Sequence, residues 1–201
     1  MRRFGAAAER PVVASGAVVR SCGECTLCCT LLRVDELKKL GGSACRELRR
    51  APLAPGCGIH ATRPPICRAY ACLWLAGGLD EEDRPDRLGA VLDLATEGAV
   101  TRLRVHEAEP GAYERSERLR AIVARYREAM PVRIANVVQV DDAEAPVREL
   151  GPAGSELRSE GEWLVRFEGA RECERRRLPW LERGLRRVAL AFRRRKLRRY
   201  Y

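Results

Sequence analysis

The pattern of apolar and polar positions changes midway along the chain. In the first part, cysteines and prolines interrupt every apolar run. Farther on, Leu88 to Ala95 reads as an apolar strand, and residues 100–106 alternate Leu103 and Val105 with polar side chains. Such alternation predicts a strand with one wet face, and Glu97-Gly98 between the two segments predicts a hairpin turn.

A helix and further strands are predicted after this hairpin. Residues Tyr113 to Met130 form an amphipathic pattern that Pro131 ends. Its apolar stripe consists of Leu119, Ile122, Val123, Tyr126 and Met130. Strand-like alternation follows at Val132, Ile134, Val138 and Val140, and again at Trp163, Val165 and Phe167. This order predicts an α+β fold in which one helix packs on a small, mainly antiparallel sheet.

The C-terminal part carries the net charge. Residues 171–201 contain 13 Arg or Lys and three Glu, whereas residues 1–170 hold 25 charges of each sign. From Leu178 onward, apolar side chains recur at helical spacing, which predicts a basic helix. Its apolar stripe consists of Leu178, Leu181, Leu185, Val188 and Phe192. This helix either binds nucleic acid or an anionic membrane surface, or packs its apolar stripe on the body. We favour packing for the stripe and leave the terminal RRRKLRRYY open.

Eight of the nine cysteines lie within a short stretch, which requires a common cause. Either a disulfide framework or a metal centre would explain it. We do not expect the first residues, MRRFGAAAERPVV, to form a signal peptide, and we therefore expect a reducing cytoplasmic location, where disulfides are rare. The sequence therefore favours metal ligation by Cys22, Cys25, Cys28, Cys29, Cys45, Cys57, Cys67 and Cys72.

The spacing of the first cysteines leaves the metal open. A C-x2-C turn directs two sulfurs at one ion, and the series from Cys22 to Cys28 also matches the start of a ferredoxin run. The ferredoxin continuation is absent, because Leu32 and Arg33 stand in its place. Neighbouring side chains diverge, so Cys28 and Cys29 serve different ions or one of them is not a ligand. Two zinc sites would use all eight thiolates, and one iron–sulfur cluster would use four.

The second half of the cysteine stretch, CGIHATRPPICRAYAC from Cys57 to Cys72, completes a recognisable pattern. Together with the CxxCxxCC run and the isolated Cys45, it resembles the YkgJ-like cysteine-cluster proteins, also described as a CxxCxxCC zinc- or iron-chelating domain. The resemblance also includes Ile59, His60, Arg63, Pro64, Arg68 and Tyr70. It implies metal chelation through cysteines in a bacterial cytosolic protein, without a single reaction. A similar domain occurs in flagellin lysine methylases, where an iron–sulfur centre is implicated.

Five further residues bear on the site, and three of them have two interpretations. His60 is either a metal ligand or, as we favour, an ordinary loop histidine. Arg63 and Arg68 either offset the repulsion between clustered thiolates or form surface ion pairs and hydrogen bonds to the irregular backbone. His106 is expected to be solvated. Cys173 is expected to be a lone thiol.

The sequence thus predicts an N-terminal arm (1–21), an irregular, metal-stabilised cysteine-cluster domain (22–80), a small α+β segment (81–170) and a basic helical tail (171–201). The α+β segment and the cysteine cluster can pack as one unit. Ala69 to Leu79, the longest uncharged apolar run, is too short for a membrane span.

The predicted function is zinc or iron binding by a structural or accessory module, with a protein partner left open. The first alternative is an iron–sulfur protein that serves a redox or methyl-transfer reaction. The second is a zinc-stapled nucleic-acid-binding module that uses the tail. Catalytic residues are not assigned, because nucleotide-binding loops and hydrolase motifs are absent from the sequence.

Overall fold

The computed structural model describes residues 20–49, 55–136, 148–160 and 162–198. Over these residues the protein has an α+β fold, as the sequence predicts. Most of the predicted arm, the strand positions Val138 and Val140, and the last three residues lie outside the described residues.

The cysteine-bearing part of the chain is built from short elements. Its helices are α1 (Leu27–Leu31) and α2 (Pro65–Ala69), its strands are β1 (Leu48–Arg49) and β2 (Gly56–Cys57), and it has 3₁₀ turns at Asp35–Leu37 and His60–Thr62. Prolines explain part of this irregularity, since Pro65 opens α2 and lacks the N–H that a strand or helix interior needs. The prediction of an irregular region is confirmed.

A seven-stranded sheet forms the other part of the molecule, with its strands in chain order. Every neighbouring pair is antiparallel except β4 and β5, which are parallel. The strands are β3 (Ala90–Glu97), β4 (Val100–Glu107), β5 (Val132–Asn136), β6 (Arg148–Leu150), β7 (Ser155–Glu160), β8 (Trp163–Glu168) and β9 (Arg171–Arg177). Residues 171–177, which the sequence assigns to the tail, are therefore the last strand of the sheet.

The helical connection between β4 and β5 supplies the packed helix. The predicted single helix is divided at Ser116 into α4 (Ala112–Arg115) and α5 (Glu117–Arg127). Ser116 caps α5, because its hydroxyl oxygen accepts a hydrogen bond from the Leu119 backbone N–H at 3.1 Å. Leu119, Ile122 and Val123 of α5 are buried with apolar side chains of β3, β4 and β5. A helix packed on one face of the sheet is thus confirmed.

The cysteine-bearing part shares this hydrophobic core. Leu31, Leu73 and Trp74 are buried in the same cluster as the sheet residues. The Leu73 backbone N–H donates to the Leu92 carbonyl at 2.7 Å, so this segment covers the outer edge of β3. Between the two parts lie a 3₁₀ turn (Glu81–Asp83) and α3 (Pro85–Leu88). The molecule therefore joins an irregular region and a sheet around one core.

The C-terminal helix α6 (Trp180–Arg198) confirms the predicted basic helix. The expected packing of its stripe is wrong, because Leu181, Leu185, Val188 and Phe192 are between 56% and 72% exposed. Leu178, just before the helix, is buried instead. In the part of the chain that the structure describes, every helix is too short or too polar to span a bilayer.

Candidate metal centre

All eight clustered cysteines line one cavity of about 790 Å³. They reach it from separate segments: the turn before α1, α1 itself, the loop at Cys45, β2, α2 and the loop after α2. Cys173 is exposed on β9 and is not part of the wall. The structure thus brings together the whole set that the sequence singles out and separates the ninth cysteine from it.

Backbone hydrogen bonds, rather than long elements, place these cysteines. The Cys25 N–H donates to the Cys22 carbonyl at 2.9 Å and closes the first C-x2-C turn. The Cys45 N–H donates to the Cys29 carbonyl, also at 2.9 Å, which holds the Cys45 loop against α1. In the two-stranded ribbon, Cys57 pairs with Leu48. Residues far apart in sequence are thereby fixed around one space.

Burial makes several of the thiols in this cavity harder to ionise. Burial raises the pKa of Cys25, Cys67 and Cys72 above the ordinary thiol value. The sulfurs of Cys28 and Cys29 lie 4.0 Å apart. Their shared hydrogen bond raises the pKa of Cys28 and lowers the pKa of Cys29 to about 7. Clustered, partly buried thiols of this kind give up their protons when a cation binds.

Two basic residues supply positive charge next to Cys29. Lys39 and Arg63 both line the cavity, and both contribute to the lowered pKa of Cys29. Lys39 is buried, and its ammonium donates to the Leu40 carbonyl at 3.1 Å and to the Leu32 carbonyl. Arg68 is exposed and lies outside the cavity wall. The electrostatic role proposed from the sequence therefore fits Arg63 but not Arg68.

His60 lies in the cavity wall, with one ring nitrogen engaged. The Arg63 guanidinium lies 2.6 Å from His60 Nε2. Arginine has no acceptor atom, so Nε2 accepts the hydrogen bond and the ring proton is on Nδ1. In this arrangement a metal would have to displace Arg63 before it could bind Nε2. The interpretation of His60 as a loop histidine agrees with this geometry, and its role as a ligand stays open.

The polar face of the β3–β4 hairpin forms another side of the cavity. Asp93 of β3 accepts hydrogen bonds from Arg104 Nε at 2.6 Å and from the Tyr70 hydroxyl at 3.1 Å. His106 Nε2 lies 3.4 Å from the same carboxylate. Although burial raises the pKa of Asp93, the neighbouring His106 and the Arg104 guanidinium keep it below the usual range. The expectation that His106 is solvated is wrong, because its side chain is only 12% exposed.

Sequence reasoning missed Asp93 and Lys39 as parts of this site. The sequence could have pointed to Asp93, because it is an acid within an otherwise apolar strand pattern, and buried acids require partners. Lys39 had none, since its neighbourhood shows no period that predicts burial. Its position depends on the left-handed backbone of Lys38, which turns the chain before it.

The donor chemistry fits a thiophilic metal, but the sulfurs are not assembled around one point. Over the described residues, no group of three or more His, Cys, Asp and Glu side chains is arranged to hold a metal ion. Thiolates are the ligands that zinc and iron–sulfur clusters use. The cavity thus has the right donor types, and ligation requires side chains or loops to close inward.

No family model, curated protein or solved structure matches the chain. Its class is therefore defined by the fold and the site alone: an α+β protein with a cysteine-lined cavity between an irregular region and a sheet. Membership in the YkgJ-like family stays a prediction.

Proposed function

We propose that this protein binds zinc or iron through the thiolates of its cysteine cluster and acts as a metal-stabilised structural or accessory module. One observation carries the proposal: eight cysteines from several separate segments line the same cavity, and the ninth does not. A scatter of ordinary buried cysteines would not be sorted in this way, because burial alone requires no common location.

Metal binding explains the cluster better than a disulfide framework. All nine cysteines are free thiols in the structure. Even the adjacent sulfurs of Cys28 and Cys29 are 4.0 Å apart, about twice the length of a disulfide bond. Disulfides pair cysteines two by two and need no shared cavity. A set of thiols that line one cavity next to Lys39 and Arg63 supports a site in which thiolates form together.

In this proposal the ligands come from Cys22, Cys25, Cys28, Cys29, Cys45, Cys57, Cys67 and Cys72. The bound metal would supply cross-links between segments that have few apolar residues of their own. Lys39 and Arg63 would offset part of the negative charge of the thiolates. Asp93, held by Arg104 and Tyr70, would keep the β3–β4 wall in place.

The number and identity of the metal ions follow from the same cavity only in part. A volume of about 790 Å³ is far larger than one ion requires and lies in the range of small-molecule sites. It accommodates two ions or an iron–sulfur cluster. The redox or methyl-transfer alternative is supported by the Asp93–His106 pair in the wall, polar side chains that a purely structural zinc site does not require.

The test is anaerobic purification of the full chain, followed by metal analysis and a visible spectrum on the same sample. We expect one or two zinc ions and a colourless protein, or iron with sulfide and a brown protein. The variants Cys29→Ser and Cys67→Ser should lower the bound metal by half or more. Cys173→Ser is the matched control, because it removes an exposed thiol outside the cavity, and its metal content should equal that of the wild type.

Two results would overturn the proposal. The first is a folded protein that contains neither metal, and takes up neither when zinc or ferrous iron is added anaerobically. The second is an equal loss of metal in Cys173→Ser and in the two cavity variants. A colourless zinc protein would remove the iron–sulfur alternative, and a brown protein would remove the zinc one.

A further inference from the structure

Helix α6 presents a row of large apolar side chains to solvent. Leu181, Leu185, Val188 and Phe192 are 56%, 67%, 67% and 72% exposed. Their spacing of four, three and four residues places them within an arc of roughly 60° on a helix of 3.6 residues per turn. Surface helices normally turn such a stripe toward the core. Here the four side chains, spread over residues 181–192, are exposed instead.

The start of the helix is tied to the sheet, which separates the stripe from the body. Leu178 is buried, and its N–H donates to the Glu162 carbonyl at 2.7 Å. The Glu162 carboxylate accepts hydrogen bonds from Arg177, at 2.9 Å, and from Arg183. The polar side of the first turn is thus directed at the sheet, and the exposed apolar row lies on another side of the helix.

The composition of the helix indicates the kind of surface that it binds. Residues 180–198 contain eight Arg or Lys and one Glu, a formal charge of +7. A helix that combines a strong basic charge with Leu, Val and Phe on one face is suited to the interface of an anionic bilayer. Its apolar face enters the boundary of the acyl chains, and its basic residues contact the lipid phosphates.

We propose that α6 docks this protein on anionic lipid surfaces, lying in the plane of the interface with the Leu181–Phe192 stripe inserted. Nucleic acid explains the charge but leaves four exposed apolar side chains without a role, because phosphate contacts are polar. A second copy of the helix would cover the stripe but would bring two segments of charge +7 together. An anionic bilayer provides acyl chains for the apolar stripe and phosphates for the basic residues.

The experiment is co-sedimentation of the full, metal-loaded protein with vesicles of phosphatidylcholine alone or with phosphatidylglycerol added. We expect binding to the mixed vesicles and at least about tenfold less to the neutral ones, with a decrease as salt rises. The double variant Leu185→Ser/Phe192→Ser should lose most of the binding. The control variant Val100→Ser removes an exposed apolar side chain from β4 and should bind like the wild type.

Circular dichroism and metal content of both variants test whether folding and the cysteine site are intact, so failure of the metal proposal and failure of this one are distinguishable. Absence of vesicle binding would overturn the lipid proposal. So would equal binding by the double variant, which would assign the interaction to charge alone. If the protein binds duplex DNA, and Leu185→Ser/Phe192→Ser binds it equally well, nucleic acid replaces the lipid surface. If the protein is a dimer that does not bind vesicles, and the double variant is a monomer, a second copy replaces it.

Discussion

The cysteine region (residues 20–80) and the sheet region (residues 90–177) share one core but differ in how they are held. No element in the described part of the cysteine region exceeds five residues, and its two strands have two residues each. In the sheet region, β3 and β4 pair over eight positions. The sheet region buries alternating apolar side chains, whereas the cysteine region surrounds a cavity with thiols. We infer that burial stabilises the sheet region, and we propose that bound metal stabilises the cysteine region.

Removal of the metal should have the largest effect and tests this difference directly. We expect anaerobic chelation to speed amide hydrogen exchange in residues 22–72 by about a thousandfold, or about 4 kcal/mol, because metal binding supplies folding free energy there. Exchange in β3, β4 and β5 should change much less. The measurement is hydrogen exchange with mass spectrometry on loaded and metal-free protein.

The Cys173→Ser variant is the control, since its exchange pattern should follow the wild type before and after chelation. Equal acceleration in both regions would contradict the comparison, because it would show one cooperative unit. Unchanged exchange in residues 22–72 would show that the metal does not hold this region.

Truncation in the core tests the sheet region. Leu103 of β4 is fully buried, and Leu94 of β3 lies directly opposite it in the ladder but is 46% exposed. We expect Leu103→Ala to lower the free energy of unfolding by about 2–5 kcal/mol, because it leaves a cavity in the core. Leu94→Ala should cost less than about 1 kcal/mol. Urea unfolding of both variants measures the difference, and similar losses would show that burial does not govern this region.

The same contrast decides what the sequence can predict. In the sheet region, Leu103, Val105 and the α5 stripe follow periods of two and 3.6 residues, so the hairpin and packed helix are predicted correctly. The alternation of apolar and polar residues does not predict β9 at residues 171–177, because nearly all of its side chains are charged and exposed. The exposed stripe of α6 also defeats the pattern, because periodicity shows that a face is apolar but not what covers it.

In the cysteine region the chemistry is predictable and the geometry is not. Eight cysteines within a short stretch predict a shared site, and the cavity contains all of them. Their placement depends on single backbone hydrogen bonds, such as that from Cys45 to Cys29, which no residue pattern encodes. For the same reason the wall contributed by Asp93 and His106 becomes visible only when the hairpin is folded against the loops.

An ion pair between the turn that connects the two regions and helix α5 gives the smallest expected effect. Asp83, in the 3₁₀ turn after the cysteine region, is 1% exposed and accepts two hydrogen bonds of 2.7 Å from Arg118 of α5. We expect Arg118→Ala to lower the free energy of unfolding at neutral pH by less than the loss of a fully buried pair would, because Asp83 loses its partner but Arg118 itself is half exposed. Arg120→Ala removes the same charge from the exposed side of α5 and should cost under about 0.5 kcal/mol.

The pH dependence of this pair identifies its cause. The Arg118 guanidinium lowers the pKa of Asp83 below its ordinary value of 3.8, so the folded state holds the charged carboxylate more strongly than the unfolded state does. The resulting stability is complete above the unfolded pKa and is lost as the pH falls through the folded one. The difference in unfolding free energy between wild type and Arg118→Ala should therefore be constant from about pH 6 to pH 5 and shrink below about pH 4. A difference that stays constant down to pH 3 would assign the effect to lost packing by the arginine side chain, and the turn and α5 would then be joined by contact rather than by charge.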